Sequence, residues 1–196
     1  MGLFLTISAG KYKGKKVELP SLEVTRSSKA ILKGSFFDTM QQDIIDVVFL
    51  EAFAGSGSMG LEALSRGAKK AYFFEKDKNS YKILQKNIKN IAPKDGIAMY
   101  GDSFVTLPEL LRSSTLSNEE LIVYIDPPFD YRDGMEDIYK RSFSMVEGFD
   151  KGNISLVVFE HYSKLELPNV LGEFSLKKTK KFGKSSLSYY IRMEKE

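Results

Sequence analysis

The chain has no cysteine among its 196 residues. Disulfides and thiolate metal sites are thereby excluded, and a reducing compartment, the cytoplasm, is the expected setting. No apolar run nears the roughly 20 residues needed to span a bilayer, and 3–7 is too short for the core of a secretion signal. No membrane partner is expected. Repeats, low-complexity tracts and Pro/Gly/Ser-rich linkers are also missing, so one unit over 1–196 is expected, acting as a monomer. Histidine is down to one, His161; a satisfied structural role is expected for it, and no metal site is read from the sequence.

What is present suffices for a sizeable core, with 42% hydrophobic and 12% aromatic residues. The net charge of +3 hides an asymmetry. Residues 1–33 hold seven basic and two acidic residues and 163–196 hold eight and four, which leaves the middle acidic. Such a distribution suits termini that meet a polyanion around a centre that works on something neutral or cationic. Ordinary solvated lysines would give the same count.

The apolar run at 47–50 ends in a Gly-rich turn, after which Met59, Ala63 and Leu64 recur at helical spacing, predicting strand, loop and helix. A strand at 71–74 precedes Asp77, a fitting N-cap for a helix with Tyr81, Leu84, Ile88 and Ile91 on one face. A strand at 97–100 and a short helix marked by Phe104, Leu107, Leu110 and Leu111 come next. Residues 121–125 read as a strand buried on both faces, and a helix over 134–147 and a strand over 154–159 follow. This alternation implies right-handed crossovers and an α/β, doubly wound, mostly parallel sheet that binds ligands beyond its strands' carboxyl ends. Residues 3–7 and 15–18 read as a hairpin within a small N-terminal β extension, 1–24. A helix over 29–40 leads into a Rossmann-like core, 25–196, closed by an antiparallel pair at 174–182 and 185–193.

Between the first core strand and its helix lies Glu51-Ala52-Phe53-Ala54-Gly55-Ser56-Gly57-Ser58-Met59-Gly60. Glycines there let a ligand approach the backbone closely. Gly55, Gly57 and Gly60 also satisfy the dinucleotide fingerprint, with Glu75 twenty positions after Gly55, so the glycines alone leave the cofactor open. Glu51 separates the readings. A pyrophosphate would be repelled by it, whereas the ammonium and sulfonium of S-adenosylmethionine would be stabilised. Simple pairing with a lysine is the bland alternative. Glu75, with Lys76 beside it, is placed to accept from ribose hydroxyls; Asp102, followed by Ser103, either meets the adenine amino group or caps a helix.

Asp126-Pro127-Pro128-Phe129 stands directly after the strand at 121–125. Two prolines make a stiff turn that continues neither strand nor helix. An exocyclic amine has its lone pair delocalised into the ring, so a methylating site must hold its N–H groups on acceptors. The Asp126 carboxylate and Pro127 carbonyl can do so, and Phe129 offers a stacking face. Lys11, Lys13, Lys15, Lys16, Arg26, Lys181 and Lys184 are candidate phosphate contacts.

With these motifs the chain resembles the RsmD family of bacterial 16S ribosomal RNA guanine-N2 methyltransferases over nearly its whole length. The resemblance includes Ile7 through Gly14, Phe53-Ala54-Gly55-Ser56-Gly57, the run Gly60-Leu61-Glu62-Ala63-Leu64-Ser65-Arg66-Gly67-Ala68, and Lys181 through Leu187. It implies a class I S-adenosylmethionine-dependent fold and a guanine of 16S rRNA, presented by the small ribosomal subunit, as substrate. Glu51 stands where that family usually has Asp; Arg26-Ser27-Ser28 replaces its Arg-Pro-Thr, and Ala30-Ile31-Leu32-Lys33-Gly34 replaces a polar helix face. A DNA adenine or cytosine amine methyltransferase is the alternative, although about thirty residues before the lead-in helix leave little room for a base-reading region.

Overall fold

The computed structural model describes residues 3–20, 26–128, 136–150 and 152–194. Strands β1 (Phe4–Thr6) and β2 (Lys16–Glu18) form the N-terminal hairpin, with Leu5 opposite Val17. Helix α1 (Arg26–Met40) leads to β3 (Val48–Ala52). Then α2 (Ser58–Ser65), β4 (Lys70–Glu75), α3 (Lys78–Ile91), β5 (Gly96–Tyr100), α4 (Ser103–Arg112), β6 (Leu121–Ile125), α5 (Glu136–Glu147) and β7 (Ile154–Tyr162) alternate. The chain closes with β8 (Val170–Leu171), β9 (Phe174–Phe182) and β10 (Ser185–Arg192).

Eight of these strands make one sheet in the order β5-β4-β3-β6-β7-β10-β9-β8. The five from β5 to β7 are parallel and the last three antiparallel, as the doubly wound reading expects. Strand order reverses between β3 and β6, so the crevice of such a sheet lies outside the carboxyl ends of those two strands. Every residue of β6 is buried, because helices cover both faces: Ile122 and Tyr124 join the core that contains residues of α1, α2 and α3, while Leu121, Val123 and Ile125 join that of α4 and α5.

The strand expected to end at 159 runs on to Tyr162. Beyond Ile125, which pairs with Phe159, β6 offers no further partner, but β10 does: Ser185 faces Tyr162. β8 was too short for periodicity to reveal.

The N-terminal hairpin packs its apolar residues Leu5, Ile7, Val17 and Leu19 into the α1–α3 side of the core. Its tip is fastened to the carboxyl ends of two helices. Lys11 N donates to Ser65 O, and Lys15 Nζ donates to Asn90 O at 3.1 Å. Gly10 adopts a φ of +82°, and a Cβ there would lie 1.7 Å from Ser65 O. Crossover helices run antiparallel to the strands they join, so this tip sits at the amino ends of the sheet. The β9–β10 turn extends past Tyr162 and therefore sits at the opposite, carboxyl end.

Candidate active site

Four acids converge on the crevice at the carboxyl ends of the parallel strands, each at or within two residues of a strand's end: Glu51 (β3), Glu75 (β4), Asp126 (just after β6) and Glu160 (β7). Glu51, only 4% exposed, turns its carboxylate into the glycine loop, accepting from Gly60 N at 2.7 Å and Met59 N at 3.3 Å. It thus anchors the start of α2. Full burial pushes its pKa up to about 8, against the pull of those two N–H groups and of Lys29. Glu75 accepts from Gly55 N at 2.8 Å through Oε2 and from Asp77 N at 2.7 Å through Oε1, pinning the loop to the end of β4.

The loop itself is strained and tight. Phe53, the first residue past β3, has a φ of +58°, unusual for a side chain with a Cβ. Its N–H donates to Ser103 Oγ at 3.1 Å, and its ring meets Phe104 edge-on. Gly57, at φ +77°, caps α2 where a Cβ would strike Leu84 at 2.6 Å, and one at Gly60 would lie 2.4 Å from the Phe73 ring. Those two glycines answer to packing. Gly55 alone of the three faces open space, and there a ligand can approach the backbone. Ala54, Ser56 and Gly57 are buried.

Of the other expected site residues, Asp102 caps α4 through Oδ1, accepting from Phe104 N at 3.1 Å, and its Oδ2 lies 3.7 Å from Arg141 Nη2. Lys76 is exposed. Pro127 is buried and Pro128 exposed, while Phe129 and the side chain of Arg26 lie outside the described residues. His161 is buried between Ser188 Oγ, 2.8 Å from Nε2, and Tyr162 O, 2.9 Å from Nδ1, and burial holds its pKa down: a structural residue.

Lys29, Tyr124 and Glu160 were not anticipated as site residues. Lys29, from the first turn of α1, places Nζ 2.6 Å from Asp126 Oδ2. Glu160 lies beside Asp126 on the neighbouring strand and accepts from Tyr124 Oη at 2.8 Å. Burial, and next the charge of Asp126, push Glu160 up, opposed by Lys29 and the tyrosine hydroxyl. No residue pattern local to Lys29 could have signalled this pairing; Glu160 offered only a charge at the end of an apolar strand.

A glycine loop after the first strand of a doubly wound sheet, with an antiparallel hairpin beside its last parallel strand, defines the Rossmann-like methyltransferase fold. Within that class, the chain matches the family described as conserved hypothetical protein 95 over residues 5–191, and it belongs to that family. It is 31% identical to ribosomal RNA small subunit methyltransferase D of Escherichia coli over 192 residues, 96% of this chain and 90% of that protein. Among solved structures, a putative methyltransferase from E. coli superposes with a TM-score of 0.74 at 26% identity, covering 98% of this chain and all of the other. A putative methylase from Haemophilus influenzae does so at 0.73, with the same identity and coverage.

Proposed function

We propose that this chain transfers a methyl group from S-adenosylmethionine to the exocyclic N2 of a guanine in 16S rRNA, presented by the small ribosomal subunit. The observation that carries the reading is Asp126-Pro127 held at the carboxyl end of β6, beside the glycine loop of β3, in a chain whose E. coli relative is a small-subunit rRNA methyltransferase.

The crevice fits the cofactor. Its acids would repel a pyrophosphate and favour a ligand carrying an ammonium and a sulfonium. Glu51 would face the methionine ammonium, Gly55 would admit the ligand to the backbone, and each oxygen of Glu75 keeps a lone pair for a ribose hydroxyl. Phe53, Ala54, Ser56, Gly57, Gly60, Lys76, Asp102 and Ser103 would complete the surround. When bound, the cofactor supplies an electrophilic methyl group on a positively charged sulfur.

The protein's share is positioning. Asp126 and the Pro127 carbonyl accept the amine's N–H groups, which orients the nitrogen lone pair toward the methyl carbon. As the N–C bond formed, the methyl group's bond to the cofactor sulfur would break with its electron pair staying on sulfur, the amine would give up one proton to solvent, and the Asp126 carboxylate would stabilise the positive charge developing on nitrogen. Lys181 and Lys184 are exposed at the same end of the sheet and would grip RNA near the reacting base. Lys11, Lys13, Lys15 and Lys16 lie toward the other end, on the order of 20 Å away at about 3.3 Å per strand residue, and would serve a more distant stretch of a folded RNA. The protein would work in the cytoplasm as a monomer.

The test incubates the protein and labelled methyl donor with small subunits lacking the modification, with naked 16S RNA and with duplex DNA, and maps the label. N2-methylguanine in RNA, with the particle preferred, is expected. Label on DNA adenine or cytosine, with RNA untouched, would replace the RNA reading by the DNA one.

A further inference from the structure

Glu51, Asp126 and Glu160 point to the same side of the sheet. Alternation along a strand sends Tyr124 and Asp126 to one face of β6, Phe49 and Glu51 to the corresponding face of β3, and Val158 and Glu160 to that of β7, all toward the core that includes α1 residues. Glu51 and Glu160 are almost fully buried, and Asp126 is 17% exposed. Like charges on adjacent strand ends disfavour one another's ionised forms. Among the described residues the nearest cation comes from α1: Lys29 pairs with Asp126 through Oδ2, so that Oδ1 is the oxygen assigned to receive an amine N–H. The electrostatics around Lys29 involve all three carboxylates, and despite its partial desolvation they hold its ammonium form firmly.

We propose that Lys29 is a positioning residue for methyl transfer, whose ammonium, 2.6 Å from Oδ2, fixes the orientation of the Asp126 carboxylate and offsets the crowding of acids at the ends of β3, β6 and β7. This inference rests on the amine-accepting role of Asp126 proposed above. A carboxylate can accept an N–H at either oxygen only while ionised; once protonated, it presents a hydroxyl to the amine. Charge and aim therefore both matter, and Lys29 supplies both from outside the sheet. Among the described residues, the groups that face Asp126 are Lys29 from α1, Glu160 of β7 with the Tyr124 hydroxyl bonded to it, and Glu51 of β3.

The experiment compares Lys29→Met, Lys29→Arg, Glu160→Gln and the Lys29→Met/Glu160→Gln double variant with the wild type on unmodified small subunits. Lys29→Met should lower kcat about 10- to 100-fold at pH 7, less than the roughly 10²- to 10³-fold cost of losing a group that itself touches the reacting atoms. Its KM for the particle and its S-adenosylhomocysteine affinity by calorimetry should stay within about threefold, as for a group lost only from the transition state. The acid limb of its kcat/KM profile should move to higher pH, and carbon-13 resonances of the cluster's carboxyl groups should titrate higher without any cofactor present. Glu160→Gln keeps a hydrogen-bonding partner for Tyr124 but removes a charge, so the double variant should regain at least about fivefold over Lys29→Met, a non-additivity expected of charges in one cluster. Lys29→Arg should stay near the wild type.

Undiminished kcat in Lys29→Met would overturn the proposal, because Lys29 would then only cover Asp126. So would a loss that the arginine variant shares, that Glu160→Gln fails to relieve and that leaves the pH profile in place, since this marks a packing role. Asp126→Ala, run alongside, separates the two readings. If it turns over normally, the amine-accepting role itself fails; if it is dead while Lys29→Met is unimpaired, only the Lys29 proposal fails.

Discussion

Lys29 and Lys33 stand one turn apart on α1, and each meets a carboxylate. Lys33, 4% exposed, lies 2.8 Å from Glu62, which is wholly buried in α2. Glu62 is surrounded by donors: Lys33, Arg66 at 2.9 Å, and the N–H and hydroxyl of Ser8, both within 2.9 Å. Burial alone would raise its pKa, but the bonds from Lys33 and Ser8 outweigh it and hold the group low. Lys29 lies among acids instead, where, among the described residues, donors are fewer than the carboxylates they serve, and Glu51 and Glu160 are pushed up. One helix thus carries a site satisfied for stability and a site left unbalanced. The difference teaches where to look for function: a buried charge with every bond filled holds the hairpin, α1 and α2 together, whereas a buried charge with a shortage of donors has room for a cationic or N–H-donating ligand.

The strongest way to break this comparison is to remove Glu62. Glu62→Ala strands the Lys33 ammonium and the Ser8 N–H, and a broken buried pair costs about 3–5 kcal/mol. Denaturant unfolding should show that loss, and the folded fraction should keep a normal kcat at permissive temperature. A fall in kcat at unchanged stability would erase the distinction between the two sites.

Next in size, Asp126→Ala should lower transfer by about 10²- to 10³-fold, the scale of one lost electrostatic partner of the transition state. Its unfolding midpoint should change little, since Asp126 is partly exposed and outside the core. Cofactor affinity, read by calorimetry, should also hold. Wild-type turnover would remove Asp126 from the mechanism.

The two sites also differ in how pH acts on them. Glu62 has a depressed folded pKa, so its stability is present above an unfolded value of about 4.3 and is lost as pH falls through the folded one. Glu51 and Glu160 have raised folded pKa values, so their contribution is complete below about 4.3 and is lost as pH climbs, for Glu51 toward about 8. The melting temperature should therefore decline between pH 5 and 8.5, and Glu51→Gln and Glu160→Gln should each flatten that decline. Thermal scans showing the full wild-type slope in both variants would mean that neither carboxylate carries its burial cost.

Much of this was legible in residue order. The alternating strands and helices, Asp77 as the cap of α3 with its bonds to Asn79 N and Ser80 N, and the placing of the glycine loop and Asp126 at strand ends follow from local pattern. Pairings across the sheet were not. Lys29 and Asp126 are 97 residues apart, and no periodicity links them. Asp102 left open a choice between capping and ligand contact that only geometry could address, and Glu160 was hidden because β7 outlasts its parallel neighbour by three residues. The positive φ at Phe53 was invisible too, since nothing about a phenylalanine announces left-handed backbone.

The smallest expected effect concerns the two basic hairpins, which the charge count treats alike and the fold separates. Lys11 is spent partly on Asp95 at 3.4 Å, Lys15 on Asn90 O, and both lysines flank the Tyr12 ring. Lys181 and Lys184 are exposed beside the turn that reaches the crevice end of the sheet. A phosphate contact releases counterions wherever it forms, so each lysine that makes one should add about one unit to the slope of log affinity against log salt. Lys181→Ala with Lys184→Ala should therefore weaken binding to the unmodified particle several-fold at low salt and flatten the salt slope by about two. Lys13→Ala with Lys16→Ala, changing two exposed lysines of the remote hairpin, should do less. An equal or larger loss from the N-terminal pair would mean that the RNA runs the height of the sheet and takes its main hold far from the reacting base.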